Sequence, residues 1–347
     1  MSVRLHHLLL EFYRPAQTSR DTLHTKDSWL LLEYEGDRLI GAGEASPIWG
    51  LSPEPEAGYR EALEVALTAP EAFVADRANW AQFPSLVFGI ETWLHSRTQA
   101  DPTRLFDTPF LHGQGQPING LIWMGDLDFM RTQIEEKLDE GFRCLKLKIG
   151  ALNWDDEHVL LQAMRKRFPA DVLEIRVDAN GAFTERDPMG KLQALAALDI
   201  HSIEQPIAAG HWSQMAALCA HTPLPIALDE ELIGVGLLEE REALLDTIGP
   251  KYLILKPSLL GGWASCDEWI ALAEARGIGW WATSALESNL GLNAIAQWVA
   301  THTPSLPQGL GTGKLYRNNL QSPLCISSAE IYHSQNGSWE WPAKPPA

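Results

Sequence analysis

The chain carries three lysines and three acids whose types and spacing could do chemistry: Lys146, Lys148, Asp178, Glu204, Asp229 and Lys256. Lys146 and Lys148 lie in the strand-like run Arg143–Ile149, two residues apart, so their side chains share a face. Leu145, Leu147 and Ile149 take the other face. Burying a lone ammonium is costly unless something pairs with it. The run therefore reads either as a solvated edge strand or as an inward pair with partners elsewhere. The partners are at hand. Asp178, Glu204 and Asp229 each close a short apolar run and follow one another at intervals of about 25 residues, the length of one βα unit. Lys256 closes the run Tyr252–Leu255 in the same phase.

Any one of these acids alone reads as an ordinary loop residue; three in phase, flanked by lysines, read as a site. Three converging carboxylates need a compensating charge. A hard divalent cation with oxygen ligands suits a set that lacks His and Cys, so Mg²⁺ is expected, with Mn²⁺ as a possible substitute. A nearby cation and partial burial both depress a lysine pKa, which brings a neutral amine within reach near neutral pH. A metal-bound carboxylate has an acidified α-proton, so the set is suited to proton abstraction beside a carboxylate.

Such residues meet only if parallel strands bring their carboxyl ends to one rim. From Pro117 onward, strand-like and helix-like segments alternate. Strand-like runs fall at 118–123, 144–149, 172–177, 201–203, 224–228, 252–255 and 278–282, with a short eighth near Gly309-Leu310. Seven or eight βα units imply a (β/α) barrel, with an open doubly wound sheet as the alternative. The first hundred or so residues differ. Runs at 3–14, 28–34 and 37–43 read as strands, the last two around a Glu35-Gly36-Asp37 turn, and helical patterns follow at 54–67, 70–75 and 83–97. That order indicates an α+β module. The polar stretch 96–116 reads as a linker. The tail, 324–332 and 338–341 around Asn336-Gly337, reads as a hairpin that packs back on the first module.

The 347 residues are 45% hydrophobic and 21% charged, with a formal net charge of −18, which argues against nucleic acid or an anionic membrane as main partner. Cys144, Cys219, Cys266 and Cys325 form no metal or disulfide spacing and fit a reducing compartment. The N-terminus opens into a strand-like run without a cleavage pattern, and no apolar run reaches membrane length, so a cytoplasmic protein is expected.

Lys146-Leu147-Lys148, Asp178-Ala179-Asn180, Glu204-Gln205-Pro206, Asp229-Glu230 and Lys256-Pro257, in this order, resemble the muconate-lactonising subgroup of the enolase superfamily. The resemblance covers nearly the whole chain. It implies a modified (β/α)7β TIM-like barrel, residues 113–317, and an α+β capping domain, residues 1–112, joined by the tail 318–347. It implies Mg²⁺ held by Asp178, Glu204 and Asp229, and Lys148 as the base that removes an α-proton and returns it to a leaving hydroxide. Lys256 would stabilise the resulting charge from the opposite face. Lys146 would support the carboxylate end and lower the pKa of Lys148, with Asn180 and Glu230 behind the ligands. Lysines on both the second and sixth strands argue against the mandelate racemase subgroup, which uses a histidine on a later strand.

Gly43-Glu44-Ala45-Ser46-Pro47, Thr283–Gly291 and Gly309–Gly313 tilt the resemblance toward dehydration. It then implies that a hydroxylated, succinyl-bearing cyclohexadiene carboxylate loses water and becomes aromatic, a step of menaquinone biosynthesis. Ser288 and its neighbours would contact the succinyl tail through N–H groups at a helix start. Trp49 and Leu51 read as substrate cover or as interdomain packing; Trp280-Trp281 read as core. Racemisation of N-succinylamino acids or epimerisation of dipeptides uses the same lysines and stays open. The region Gly311–Tyr316, without the Asp-x-Asp typical of dipeptide epimerases, weighs against an amine-bearing substrate. A Schiff-base aldolase and a non-catalytic scaffold are the readings from other classes. The partner is a small carboxylate, with monomer or homo-oligomer left open.

Overall fold

The computed structural model describes residues 3–17, 22–183 and 188–342. The N-terminal region builds an antiparallel sheet of β1 (Val3–Gln17), β2 (Thr22–Glu35) and β3 (Arg38–Ala45), in that order. Four helices follow: α1 (Tyr59–Ala66), α2 (Pro70–Ala75), α3 (Arg77–Gln82) and α4 (Pro84–Ser96). The run Trp29–Leu32 is apolar on both faces because both are covered. Trp29 and Leu31 pack on Tyr59, Leu63, Leu86 and Ile90. Leu30 and Leu32 face Leu290 and Leu320 of the second region. Sheet and helix layer touch through backbone: a Cβ on Gly43 would lie 2.2 Å from the carbonyl oxygen of Gly89.

The second region is a seven-stranded parallel sheet in sequence order: β5 (Gly120–Ile122), β6 (Cys144–Lys148), β7 (Glu174–Asp178), β8 (Ser202–Glu204), β9 (Ile226–Leu228), β10 (Tyr252–Leu255) and β11 (Gly279–Ala282); β4 (Gln116–Pro117) precedes it. Between and after these strands run α5 (Leu127–Asp139), α6 (Trp154–Arg167), α7 (Pro188–Ala196), α8 (Trp212–His221), α9 (Leu238–Ile248), α10 (Pro257–Leu260), α11 (Gly262–Ala275) and α12 (Asn289–His302). The eighth position is a pair of parallel bridges, Thr283 to Gly309 and Gln308 to Ile118, which closes the ring. Outward residues such as Leu145, Leu147, Ile175, Val177 and Leu253 join the helices in one core. Inward residues fill the barrel, where Ala227, Ile254 and Trp281 cluster and the Arg176 guanidinium lies 4.2 Å over the Trp281 ring. Trp281 is thus interior, whereas Trp280 is half-buried outside against Trp298 and His302.

Two segments differ from expectation. The polar stretch 96–116 is no loose linker: Thr103 O accepts from Asn293 and Gln297 of α12 at 3.0 and 2.8 Å, and Leu105, Phe110 and Leu111 are buried. The tail hairpin, β12 (Leu324–Ser327) and β13 (Glu330–His333), turns at Ser328-Ala329 rather than Asn336-Gly337 and pairs with β4. Both turn residues take positive φ, 52° and 61°, which the ladder imposes on side chains that carry no turn signal. Beyond it, Trp339 and Trp341 do return to the first sheet, beside Leu30 and Leu32.

Candidate active site

The strand register places the chemistry. Lys148 of β6 pairs with Asp178 of β7, which pairs with Glu204 of β8, so three charged groups stand at one level on adjacent strands. Asp229 follows β9 and Lys256 follows β10, extending the arc around the rim. Lys146 sits one inward position below Lys148. All three acids and Lys146 are buried.

The lysines bridge the acids. Lys146 Nζ lies 2.9 Å from Asp178 Oδ2 and 2.6 Å from Glu204 Oε2. Lys148 Nζ donates to Asp178 Oδ2 at 3.0 Å and to Asn180 Oδ1 at 2.8 Å. Lys256 Nζ donates to Asp229 Oδ2 and stands 3.9 Å from Glu204 Oε1. Burial alone would lower the pKa of Lys146 and Lys256, but the carboxylates outweigh it, led by Asp178 for Lys146 and Asp229 for Lys256, and raise both. The carboxylates thus favour the ammonium form of both groups. Burial also opposes ionisation of Asp178, yet Lys146, Lys148 and Lys256 hold its carboxyl well below the usual range. Glu204 is pushed well up, by burial and then by the charge of Asp178.

Asn180 and Gln205, just after two of the acids, adopt left-handed backbone at φ 44° and 40°, uncommon for residues other than glycine and frequent at functional turns. Asn180 Nδ2 donates to Glu230 Oε1 at 3.0 Å, so Lys148, Asn180 and Glu230 form one line. The side-chain Oε1 of Gln205 accepts the N–H groups of Asp229 and Glu231 at 3.2 and 3.3 Å, which braces the Asp229 strand end from the neighbouring strand.

Among the described residues, no three His, Cys, Asp or Glu side chains stand as a ready-made cation cage, since lysines bridge the carboxylates instead. The set nevertheless fits a hard divalent ion. Its donors are all carboxylate oxygens, and buried Glu204 Oε1 has no hydrogen-bond partner among the described residues.

Above the ring lies a cavity of about 300 Å³. Lys146, Lys148, Asn180 and Lys256 form its floor, Asn119, Ser284 and Thr312 its polar wall, and Ile48, Trp49 and Leu51 its cover. Its described lining carries three lysines and no carboxylate, so it favours an anionic ligand. The Trp49 indole also donates to Asp27 Oδ2 at 2.7 Å and packs against Tyr59 and Trp29, so it both packs in the first module and covers the cavity. Ser288 does not line the cavity. It caps α12 and is fully buried, and its N–H and hydroxyl both donate to Glu44 of β3, at 2.8 and 2.5 Å. A carboxylate of the protein already occupies the helix start expected to hold the substrate tail. Asn119 escaped the sequence reading, and Thr312 entered it only within Gly309–Gly313, because nothing in their local pattern separates a cavity wall from a surface turn.

Residues 130–335 match the enolase C-terminal domain-like family. The chain is 48% identical to an o-succinylbenzoate synthase of Desulfotalea psychrophila over 91% of this chain and 95% of that one. It is 35% identical to an N-succinylamino acid racemase of Thermus thermophilus, over 46% of this chain and 40% of the other. The crystal structure of MenC from Desulfotalea psychrophila superposes with a TM-score of 0.83 at 44% identity, covering 96% of this chain and 99% of that chain.

Proposed function

The chain belongs to the enolase C-terminal domain-like family, and from that premise we propose that it is an o-succinylbenzoate synthase, a hydro-lyase that turns a succinyl-bearing hydroxycyclohexadiene carboxylate into the aromatic product and water. The observation that carries the reading is the cavity floor. Lys148 and Lys256 reach it from strands with three others between them, over a wall that lacks carboxylates. A dianionic substrate is attracted there, and an amine-bearing one finds no acidic partner among the described lining residues.

Asp178, Glu204 and Asp229 would hold a Mg²⁺ ion, with Mn²⁺ able to substitute, and the bound ion would offset the charge that develops on the substrate carboxylate. Lys148, as the neutral amine, takes the α-proton; the electron pair left behind expels the hydroxyl, and the same lysine returns the proton to it as water. Asp178 Oδ2 and Asn180 Oδ1 fix the position of that amine at the cavity wall. Lys256 remains an ammonium and faces the charge as it spreads into the ring. Lys146 neutralises Asp178 and Glu204 from below. Residues 1–112 with 318–347 act as the cap and 113–317 as the catalytic barrel. The free cysteines and the absence of a membrane-length apolar helix among the described residues support action in the cytoplasm on a soluble small molecule. The test is appearance of the aromatic product, followed by ultraviolet absorbance, when the purified protein meets the cyclohexadiene substrate and Mg²⁺. No product at high enzyme concentration, with turnover of N-succinylamino acids in its place, would move the assignment to the racemase.

A further inference from the structure

A second charged cluster lies where the capping sheet meets the barrel rim. Glu44 lies at the end of β3 and Ser46 just beyond it, at the root of the loop that carries Ile48, Trp49 and Leu51 over the cavity. Glu44 is fully buried and spans the seam. Its Oε1 accepts from Ser28 Oγ of β2 at 2.6 Å and from Ser288 N at 2.8 Å. Its Oε2 accepts from Ser288 Oγ at 2.5 Å and from Gly291 N at 2.7 Å. Lys26 of β2, also buried, donates to Ser46 Oγ. Burial brings its ammonium down to about 8, against the pull of Glu287 first and Glu44 second. Glu287, in the loop after β11, is fully buried and accepts from Ser258 Oγ and from Ser284 Oγ, the latter at 2.5 Å. Ser284 Oγ in turn accepts from Thr312 Oγ1 at 2.8 Å and Leu286 N at 3.1 Å. Ser284, Leu286 and Thr312 all line the cavity.

We infer that Lys26, Glu44 and Glu287 form a buried latch that positions the cover loop and the loop after β11 as one unit, which makes them positioning residues for ligand binding. Two carboxylates inside a protein that meet only hydroxyl and N–H donors still need a countercharge. Lys26 supplies it from the capping sheet. Through Ser46 the same amine anchors the root of the cover loop; through Glu287 its charge supports the Ser284–Thr312 wall. Without it, the carboxylates must take up protons or admit water, and both loops lose their common anchor.

Hydrogen exchange on the full-length protein tests the latch without reference to any substrate. In Lys26→Met, amides of Trp49–Leu51 and of Thr283–Leu286 should exchange about tenfold faster together, while those of β7 and β10 keep their wild-type rates. Ser46→Ala, which removes one acceptor and no charge, should give the same pattern in weaker form if Lys26→Met does not fold. Acceleration of one segment alone, uniform acceleration across the chain, or no change would overturn the inference. The kinetic arm rests on the proposed dehydration: KM should rise about tenfold with kcat within about threefold of wild type, and Lys26→Met with Glu287→Gln should cost less than the product of the single effects. A wild-type protein inactive on the cyclohexadiene would defeat the proposed function and leave the exchange result to decide the latch.

Discussion

Lys148 and Lys146 share a strand face but not a role, because the residues opposite them differ. Lys146 also lines the cavity floor but lies within 2.9 Å of two buried carboxylates, which it bridges. Lys148 reaches the cavity beside Asn180. Lys148→Ala should therefore lower kcat by about 10²–10⁴-fold, the range of a lost general acid–base, in a protein that folds and binds Mg²⁺ like the wild type. Lys146→Met should act differently: it leaves Asp178 and Glu204 without their shared cation and should lower thermal stability in metal-free buffer, a loss that added Mg²⁺ partly restores. Glu204→Gln should weaken Mg²⁺ binding in isothermal titration and leave the fold intact; unchanged affinity would remove Glu204 from the ligand set. Lys146, Lys148, Asp178, Glu204, Asp229 and Lys256 were legible in the sequence because strand ends recur in phase and charged side chains are rare in barrel interiors. Ser288 was misread for a physical reason. A helix start attracts any anion, and the one that fills it, Glu44, is 244 residues away in the chain.

At the scale of elements, the short parallel strands do little beyond aiming side chains, and the joints between layers carry the precision. β3 and α4 meet through Gly43 and Gly89 without side chains between them. Gly43→Ala would place a methyl 2.2 Å from a backbone oxygen, so it should lower stability by about 1–3 kcal/mol or more in urea titration. A wild-type midpoint would show that the two layers can part at no cost. Alternation of apolar runs revealed the barrel strands and the two-stranded turn at Gly36. It could not reveal that residues 96–116 are anchored, since Thr103 O is held by side chains of α12. Nor could it place the tail turn, where Ser328-Ala329 is shaped by pairing of its flanks rather than by its own residues.

For the whole molecule, the cap is held to the barrel by carboxylates that burial keeps from ionising readily. Glu91 of α4 accepts the Trp263 and Ala264 N–H groups at the start of α11, at 2.7 and 3.1 Å, and burial pushes it up to about 8. Within the cap itself, burial likewise brings Glu54, which accepts from Ser85, up to about 7. Both folded values lie above the unfolded value of about 4.5. The folded state therefore binds more protons between about 4.5 and 8, and stability falls as pH rises through that window, by up to ~1.4 kcal/mol per pH unit for each group. Glu91→Gln should flatten this decline in a series of thermal melts; an unchanged slope would show that Glu91 is not responsible. The cap matters because its residues Ile48, Trp49 and Leu51 cover a cavity floor formed by barrel residues. The most direct measurement is ultraviolet absorbance of the aromatic product with Mg²⁺, for the wild type, for the wild type in EDTA and for Lys148→Ala. Product should accumulate at the full rate only in the first, and near-normal turnover by folded Lys148→Ala would contradict the assignment of the base.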